Sequence, residues 1–144
     1  MRIARKAASL WCAAALGALL FSVRIATTVF ADMPGDRALA GRIAGRAFTG
    51  AYAIAMVAAV IAVIVVWLSR TVGSRVDRWI AAGLLVAAAT ELFWIAPAIT
   101  QHGAGWPGSF ASLHATGGAL HLLLAVCALV LAWRLLDGAD EAAA

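Results

Sequence analysis

The sequence predicts an all-α fold, a membrane-embedded four-helix bundle, and three observations carry that expectation. The chain is 65% hydrophobic and 12% charged over 144 residues, where soluble domains are roughly 45–50% apolar. Its apolar residues gather into four runs, each long enough to cross a bilayer, and its charges gather at the ends of those runs. Water is therefore the wrong solvent for most of the chain. The net charge of +4 does not point to nucleic acid, because the cations punctuate apolar segments instead of forming one basic face. The partner implied is the lipid bilayer.

The first run, Ala7 to Ala31, follows Arg2, Arg5 and Lys6 and so imitates a signal peptide, with Val29-Phe30-Ala31 in the place of a cleavage site. It is nonetheless as long as the roughly 20 residues a span requires, and the Trp11-Cys12 pair is unlike a lipoprotein signal. The segment is expected to stay on the mature chain as the first helix. The second run, Ala47 to Ser69, has no charge between Arg46 and Arg70. The third runs from Trp79 to Thr100 and the fourth from Phe110 to Leu136. At 1.5 Å per residue each crosses about 30 Å of hydrocarbon. None alternates as a barrel strand does, so helices are the remaining way to satisfy the backbone within lipid. The whole chain, 1–144, reads as a single membrane domain.

The connections are short. Asp32-Met33-Pro34-Gly35-Asp36 is a turn by composition. Arg37 to Arg46, with Leu39 and Ile43 among Ala and Gly, is expected to form a short interfacial helix leading into the second span. Gly41 and Gly45 make a Gly-x-x-x-Gly there, outside the span proper. The Gly-rich stretch Gln101 to Ser109, with Trp106-Pro107, is placed at the outer interface. Arg2, Arg5, Lys6, Arg70, Arg75, Arg78 and Arg134 flank one side, against Arg37, Arg42 and Arg46 on the other. The positive-inside rule then puts both termini in the cytoplasm.

Ionisable groups within spans are costly and face the bundle interior or a wet cavity, so they mark where function resides. There are four: Arg24, Glu91, His114 and His121. Counted inward from the outer end of each span, all four lie in the outer half or near the midplane, at the level of Thr49 and Tyr52 on the second helix. These six residues are the candidate polar intramembrane cluster. Small residues at three- and four-residue spacing are expected to turn it inward. On the fourth helix they are Gly117, Gly118, Ala125, Ala128 and Ala132; on the third, Gly83, Ala87 and Ala98; on the first, Ala13, Gly17, Leu20 and Thr28 beside Arg24. Arg24 and Glu91 are expected to interact, directly or through water or a histidine, because each is expensive alone in hydrocarbon. The bland alternative is that Arg24 reaches out to the interface while the histidines merely tie helices together.

Specific chemistries find little support. His114 and His121, seven residues apart, put their rings about 10 Å apart along one helix, too far to share a metal without a third helix. No opposed histidine pair suits haem, and no cofactor is implied. Cys12 and Cys127 lie inside apolar runs without zinc-like spacing and read as small core residues. There is no His-Glu-x-x-His and no nucleophile beside a base, so no catalytic residue, metal ligand or enzyme activity is expected.

Three segments look familiar. Arg37-Ala38-Leu39-Ala40-Gly41-Arg42-Ile43-Ala44-Gly45-Arg46-Ala47-Phe48, then Pro97, then Phe110-Ala111-Ser112-Leu113-His114 resemble the uncharacterised bacterial proteins related to transmembrane protein 205. The likeness covers Leu10 to Leu136. It implies a four-span membrane domain with no established bacterial activity, and His114 is the residue carried over as a family feature. This chain departs where it has Thr49 in place of a proline, and Glu91 and His121 in place of neutral polar groups. The reading that results is an integral inner-membrane protein with a polar, outward-facing cavity for a proton, a cation or a small solute. Its rival is a structural or accessory subunit that joins a membrane complex or a homo-oligomer.

Overall fold

A computed structural model describes residues 2–68, 74–101 and 109–141. The expected loop features at Arg70 and Trp106-Pro107 lie outside the described residues. Among those described, every long element is helical: α1 (Arg2–Asp32), α2 (Arg37–Leu68), α3 (Arg75–Thr90), a π turn (Glu91–Ile95), α4 (Ala96–Thr100) and α5 (Phe110–Glu141). The π turn joins α3 to α4, so Arg75–Thr100 is one rod. Four helices are long and apolar enough to cross a membrane. The chain is a multi-pass, all-α bundle, as its composition predicts.

The rods are arranged in a ring. α1 packs on α2 and α5, and the third rod packs on α2 and α5 from the opposite side. The backbones of α1 and the third rod stay more than 8 Å apart. Alanine sets the closeness of the α1–α2 pair: Ala51, Ala55, Ala58, Ala59 and Ala62 make one buried face of α2. Such a thin face lets helices approach closely, which in lipid replaces the hydrophobic drive as the source of association. α5 is buried at Gly117, His121, Leu124, Ala128, Leu131 and Leu135, a strict alternation of four- and three-residue steps.

Two local expectations are corrected. The Arg37–Arg46 segment is the unbroken start of α2, not a separate interfacial helix. The Leu39 N–H donates to Asp36 Oδ1 at 2.9 Å, which starts the helix at once. Ala40 and Ala44 then continue the buried row. On α1 the inward face is Ala8, Cys12, Ala15, Leu19 and Ser22, whereas Ala13, Gly17, Leu20, Arg24 and Thr28 are exposed. The inward row is itself mostly small, with Ala8, Cys12, Ala15 and Ser22 around Leu19, while Leu10, Leu20, Phe21 and Val23 turn outward; α1 buries a second row of small residues, not the one its Ala13–Gly17 spacing suggests.

Side chains give the depth. Leu20, Val57, Ile64, Val86, Leu122 and Val126 are exposed, the inverse of a soluble protein and the surface lipid requires. Trp11, Trp67, Trp79 and Trp133 are also exposed, near the ends of the rods that carry the chain termini. They form the aromatic belt of one interface. From Trp67 back to Arg46 is about 31 Å of helix, so Arg46 stands at the other interface.

Polar clasps tie the belt end. Ser74 and Asp77 form a reciprocal cap on α3: Asp77 N–H donates to Ser74 Oγ at 3.2 Å and Ser74 N–H to Asp77 Oδ2 at 2.7 Å. Arg134 of α5 closes on Asp77 through Nε and on Ser74 Oγ through a second nitrogen at 3.1 Å. Arg78 Nε donates to the Val66 carbonyl at 3.3 Å, and Ser9 Oγ to the Ala132 carbonyl at 2.6 Å. The bonds of Arg134, Arg78 and Ser9 each cross between rods.

Candidate functional site

The third rod departs from regular helix where Pro97 requires it. Proline has no N–H for the carbonyl four residues back and its ring presses on that carbonyl, here that of Phe93. A wider turn before it relieves the clash, and the Ala96 N–H reaches back five residues to the Glu91 carbonyl. Within the widened turn both Glu91 and Ile95 face the core. The Pro97 signal was visible in the sequence; what it does to Glu91 was not.

Glu91 is 1% exposed and meets two neighbours. The Tyr52 hydroxyl of α2 approaches its carboxyl group closely enough to interact with it. Its Oε1 is buried and, among the described residues, has no hydrogen-bond partner. That oxygen faces Gly117 of α5, where an added Cβ would lie 3.7 Å from it and 3.1 Å from Ile95 Cγ2. Gly117 is thus the close approach that lets α5 pass the carboxyl.

One turn along α5, His121 Nδ1 lies 3.3 Å from Tyr52 Oη. The imidazole is held edge-on by two rings of α2, with centroids 5.4 Å from Phe48 and 5.8 Å from Tyr52. It also lies near the backbone of Leu19 on α1, whose carbonyl accepts from Ser22 Oγ at 2.7 Å. Leu19, His121, Tyr52 and Glu91 therefore form one polar chain to which all four rods contribute.

Three of the six candidate residues are brought together: Tyr52, Glu91 and His121. The other three are not. Arg24 is exposed on α1, whose backbone stays more than 8 Å from the rod bearing Glu91, and no Arg24–Glu91 ion pair forms among the described residues. Its long side chain turns to the surface, where the charge costs less. His114 is exposed and stacks on Phe110, with centroids 5.3 Å apart. Thr49 is exposed, and its hydroxyl donates to the Gly45 carbonyl at 2.9 Å. Phe48 and Ser22 join the site without having been singled out; the signal for Phe48 was its place one turn before Tyr52.

The chain of polar groups is chemically reversible. With Glu91 as the neutral acid, its O–H donates to Tyr52 Oη, the Tyr52 O–H donates to His121 Nδ1, and the imidazole keeps its N–H on Nε2. Shifting both shared protons one step leaves a Glu91 carboxylate, a neutral tyrosine and an imidazolium. Every bond survives in reversed polarity. No group of three or more His, Cys, Asp or Glu suited to a metal is found among the described residues.

Fold and site together define a multi-pass membrane helical bundle with a buried acid–phenol–imidazole chain. A family model described as a domain of unknown function, DUF4149, matches residues 10–104. The protein belongs to that family. The match takes in Tyr52, Glu91 and Pro97 and ends before α5, which carries Gly117 and His121. No curated protein and no solved structure matches the chain.

Proposed function

We propose that this protein is an integral protein of the bacterial inner membrane that binds a proton at Glu91 and exchanges it with His121 through Tyr52. The observation that carries the reading is the buried Glu91 Oε1, without a hydrogen-bond partner among the described residues, on a π turn, a feature found often at functional sites. A cluster serving packing alone has every reason to satisfy both oxygens, since an acidic group at the centre of a span costs about 2.5–3.5 kcal/mol on insertion scales. Arg42 and Arg46 line the shallow groove beside Thr49 and Thr100, which disfavours a metal cation as the species handled. The role read here is binding and transfer, not catalysis. Kinship with proteins related to transmembrane protein 205 belongs to the same reading, resting on the 37–48 and 110–114 segments.

The test is infrared difference spectroscopy on protein reconstituted in liposomes, titrated from acid to alkaline pH. A pH-dependent carboxylic C=O band is expected in the wild type and absent in Glu91→Gln, which keeps the shape of the side chain. A band unchanged by Glu91→Gln overturns the reading. The second reading, an accessory subunit, is favoured by the exposed small face of α1, where nothing lies within 4 Å of a Cβ added at Gly17. For such a subunit, co-purification with partner proteins survives Glu91→Gln and is lost on Gly17→Leu.

Cytoplasmic termini complete the proposal, from the excess of Arg and Lys at the Trp-belted end. Alkaline phosphatase fused after Ala144 is expected to be inactive. Periplasmic activity there reverses the orientation.

A further inference from the structure

The outer surface of the α1–α2 pair carries a feature that the buried chain does not use. A groove of about 230 Å³ runs between the two rods. Arg46 heads it, Gly50 and Ile54 line it along α2, and Ile25, Phe21 and Ala18 line it along α1. From Arg46 to Ile54 is about 12 Å of helix, most of one leaflet's half of a ~30 Å hydrocarbon core. Gly50 is what keeps the groove open, since a Cβ there meets nothing within 4 Å.

The head of the groove sits at the right depth for a phosphate. Arg46 is the last charge on α2 before an uncharged stretch to Leu68, and it stands about 31 Å from the Trp67 belt. Arg46 also borders the neighbouring groove of about 310 Å³, which adds Arg42 and the Thr49 and Thr100 side chains. Arg42 and Arg46 are one helical turn apart and both exposed. Neither groove is lined by Asp or Glu, so the two guanidinium groups face their ligand without a competing carboxylate.

We propose that the α1–α2 groove holds one acyl chain of an anionic phospholipid whose phosphate is bound by Arg42 and Arg46. Guanidinium matches phosphate in geometry as well as charge. The absence of an acidic lining residue favours a headgroup with net negative charge over a zwitterionic one. The apolar walls and bare floor at Gly50 take the chain, and the exposed position of both arginines leaves them free to reach the headgroup.

The test uses the full chain, delipidated in detergent and titrated by native mass spectrometry with phosphatidylglycerol, with phosphatidylcholine of the same acyl chains, and with sodium phosphate alone. Phosphatidylglycerol is expected to bind more tightly than phosphatidylcholine. Arg46→Gln should weaken phosphatidylglycerol by about fivefold, the ratio expected for one cation near a membrane surface, and leave phosphatidylcholine nearly unchanged. Gly50→Leu, which has room for its side chain, should weaken both lipids without lowering the melting temperature. Equal binding of both lipids by the wild type, or indifference to both substitutions, overturns the proposal. So does a site that inorganic phosphate fills as well as the lipid and that Gly50→Leu does not disturb. A dimer that Gly50→Leu dissociates instead assigns the groove to a second copy of the chain.

Discussion

Gly117→Leu is expected to lower stability by about 2–3 kcal/mol, the upper part of the range for overpacking a filled site. Even the Cβ lies 3.1 Å from Ile95 Cγ2, and Glu91 Oε1 and Ile99 Cδ1 both stand at 3.7 Å. A leucine has three further carbons and nowhere to place them without moving α5 off the third rod. Gly117→Ala separates space from backbone. Its gain in helix propensity, about 1 kcal/mol, opposes the one tight contact, so the net change should be small. Thermal unfolding in detergent, followed by circular dichroism, measures both. A leucine variant as stable as the wild type means that α5 does not pass Glu91 as closely as described.

Asp77→Ala is expected to cost about 2–4 kcal/mol. Asp77 is buried at 6% exposure, and it serves as both the acidic half of the cap with Ser74 and the partner of Arg134. Loss of a cap alone costs about 0.5–2 kcal/mol, and breaking a buried ion pair about 3–5 kcal/mol. The Arg134 side chain is 41% exposed, so water recovers part of the second loss. Arg134→Ala should cost less than Asp77→Ala, because Ser74 still donates to the carboxylate from both its N–H and its hydroxyl. The double variant should show a coupling energy above about 0.5 kcal/mol, as residues in direct contact do. Strict additivity in the same unfolding assay shows instead that the clasp does not hold α3 to α5.

The four rods were legible because their signal is composition sustained over 20 or more residues, which no tertiary contact has to supply. The inward faces were legible only in part. On α5 and the third rod the expected stripe meets the buried face in part, at Gly117, His121, Ala128, Ala87 and Glu91, while His114 and Gly118 are exposed and Leu124, Leu131 and Leu135 fill much of the inward face of α5. On α1 it does not, because that helix carries two rows of small residues, and spacing alone does not choose between Ala13–Gly17 and the buried Ala8–Cys12–Ala15. Depth was read better than direction: Arg24, Thr49 and His114 were grouped with Glu91 by level along the membrane normal, but level fixes only one coordinate. Asp77 was passed over, although Ser74-x-x-Asp77 is a helix-start signature. Its bond to Arg134 joins rods in a way that sequence spacing does not reveal.

The π turn has a consequence for how this chain can change in length. It amounts to one residue spliced into an otherwise regular rod, with Glu91 on one side of the splice and Ala98 and Thr100 on the other. Removing one residue within the widened turn restores an ordinary helix and leaves the two sides facing much as they do now, because the five-residue reach of the Ala96 N–H already absorbs the extra residue. A deletion in the regular part of the rod swings its two sides by about 100°, so that either Thr100, whose Cγ2 would lie 3.9 Å from a Cβ added at Gly45, leaves α2, or the carboxyl turns away from Tyr52 toward lipid. Deletions within the widened turn are therefore not interchangeable with deletions elsewhere in the rod: like a thread cut on a screw, the rod has slack for one residue at this turn and none on either side of it.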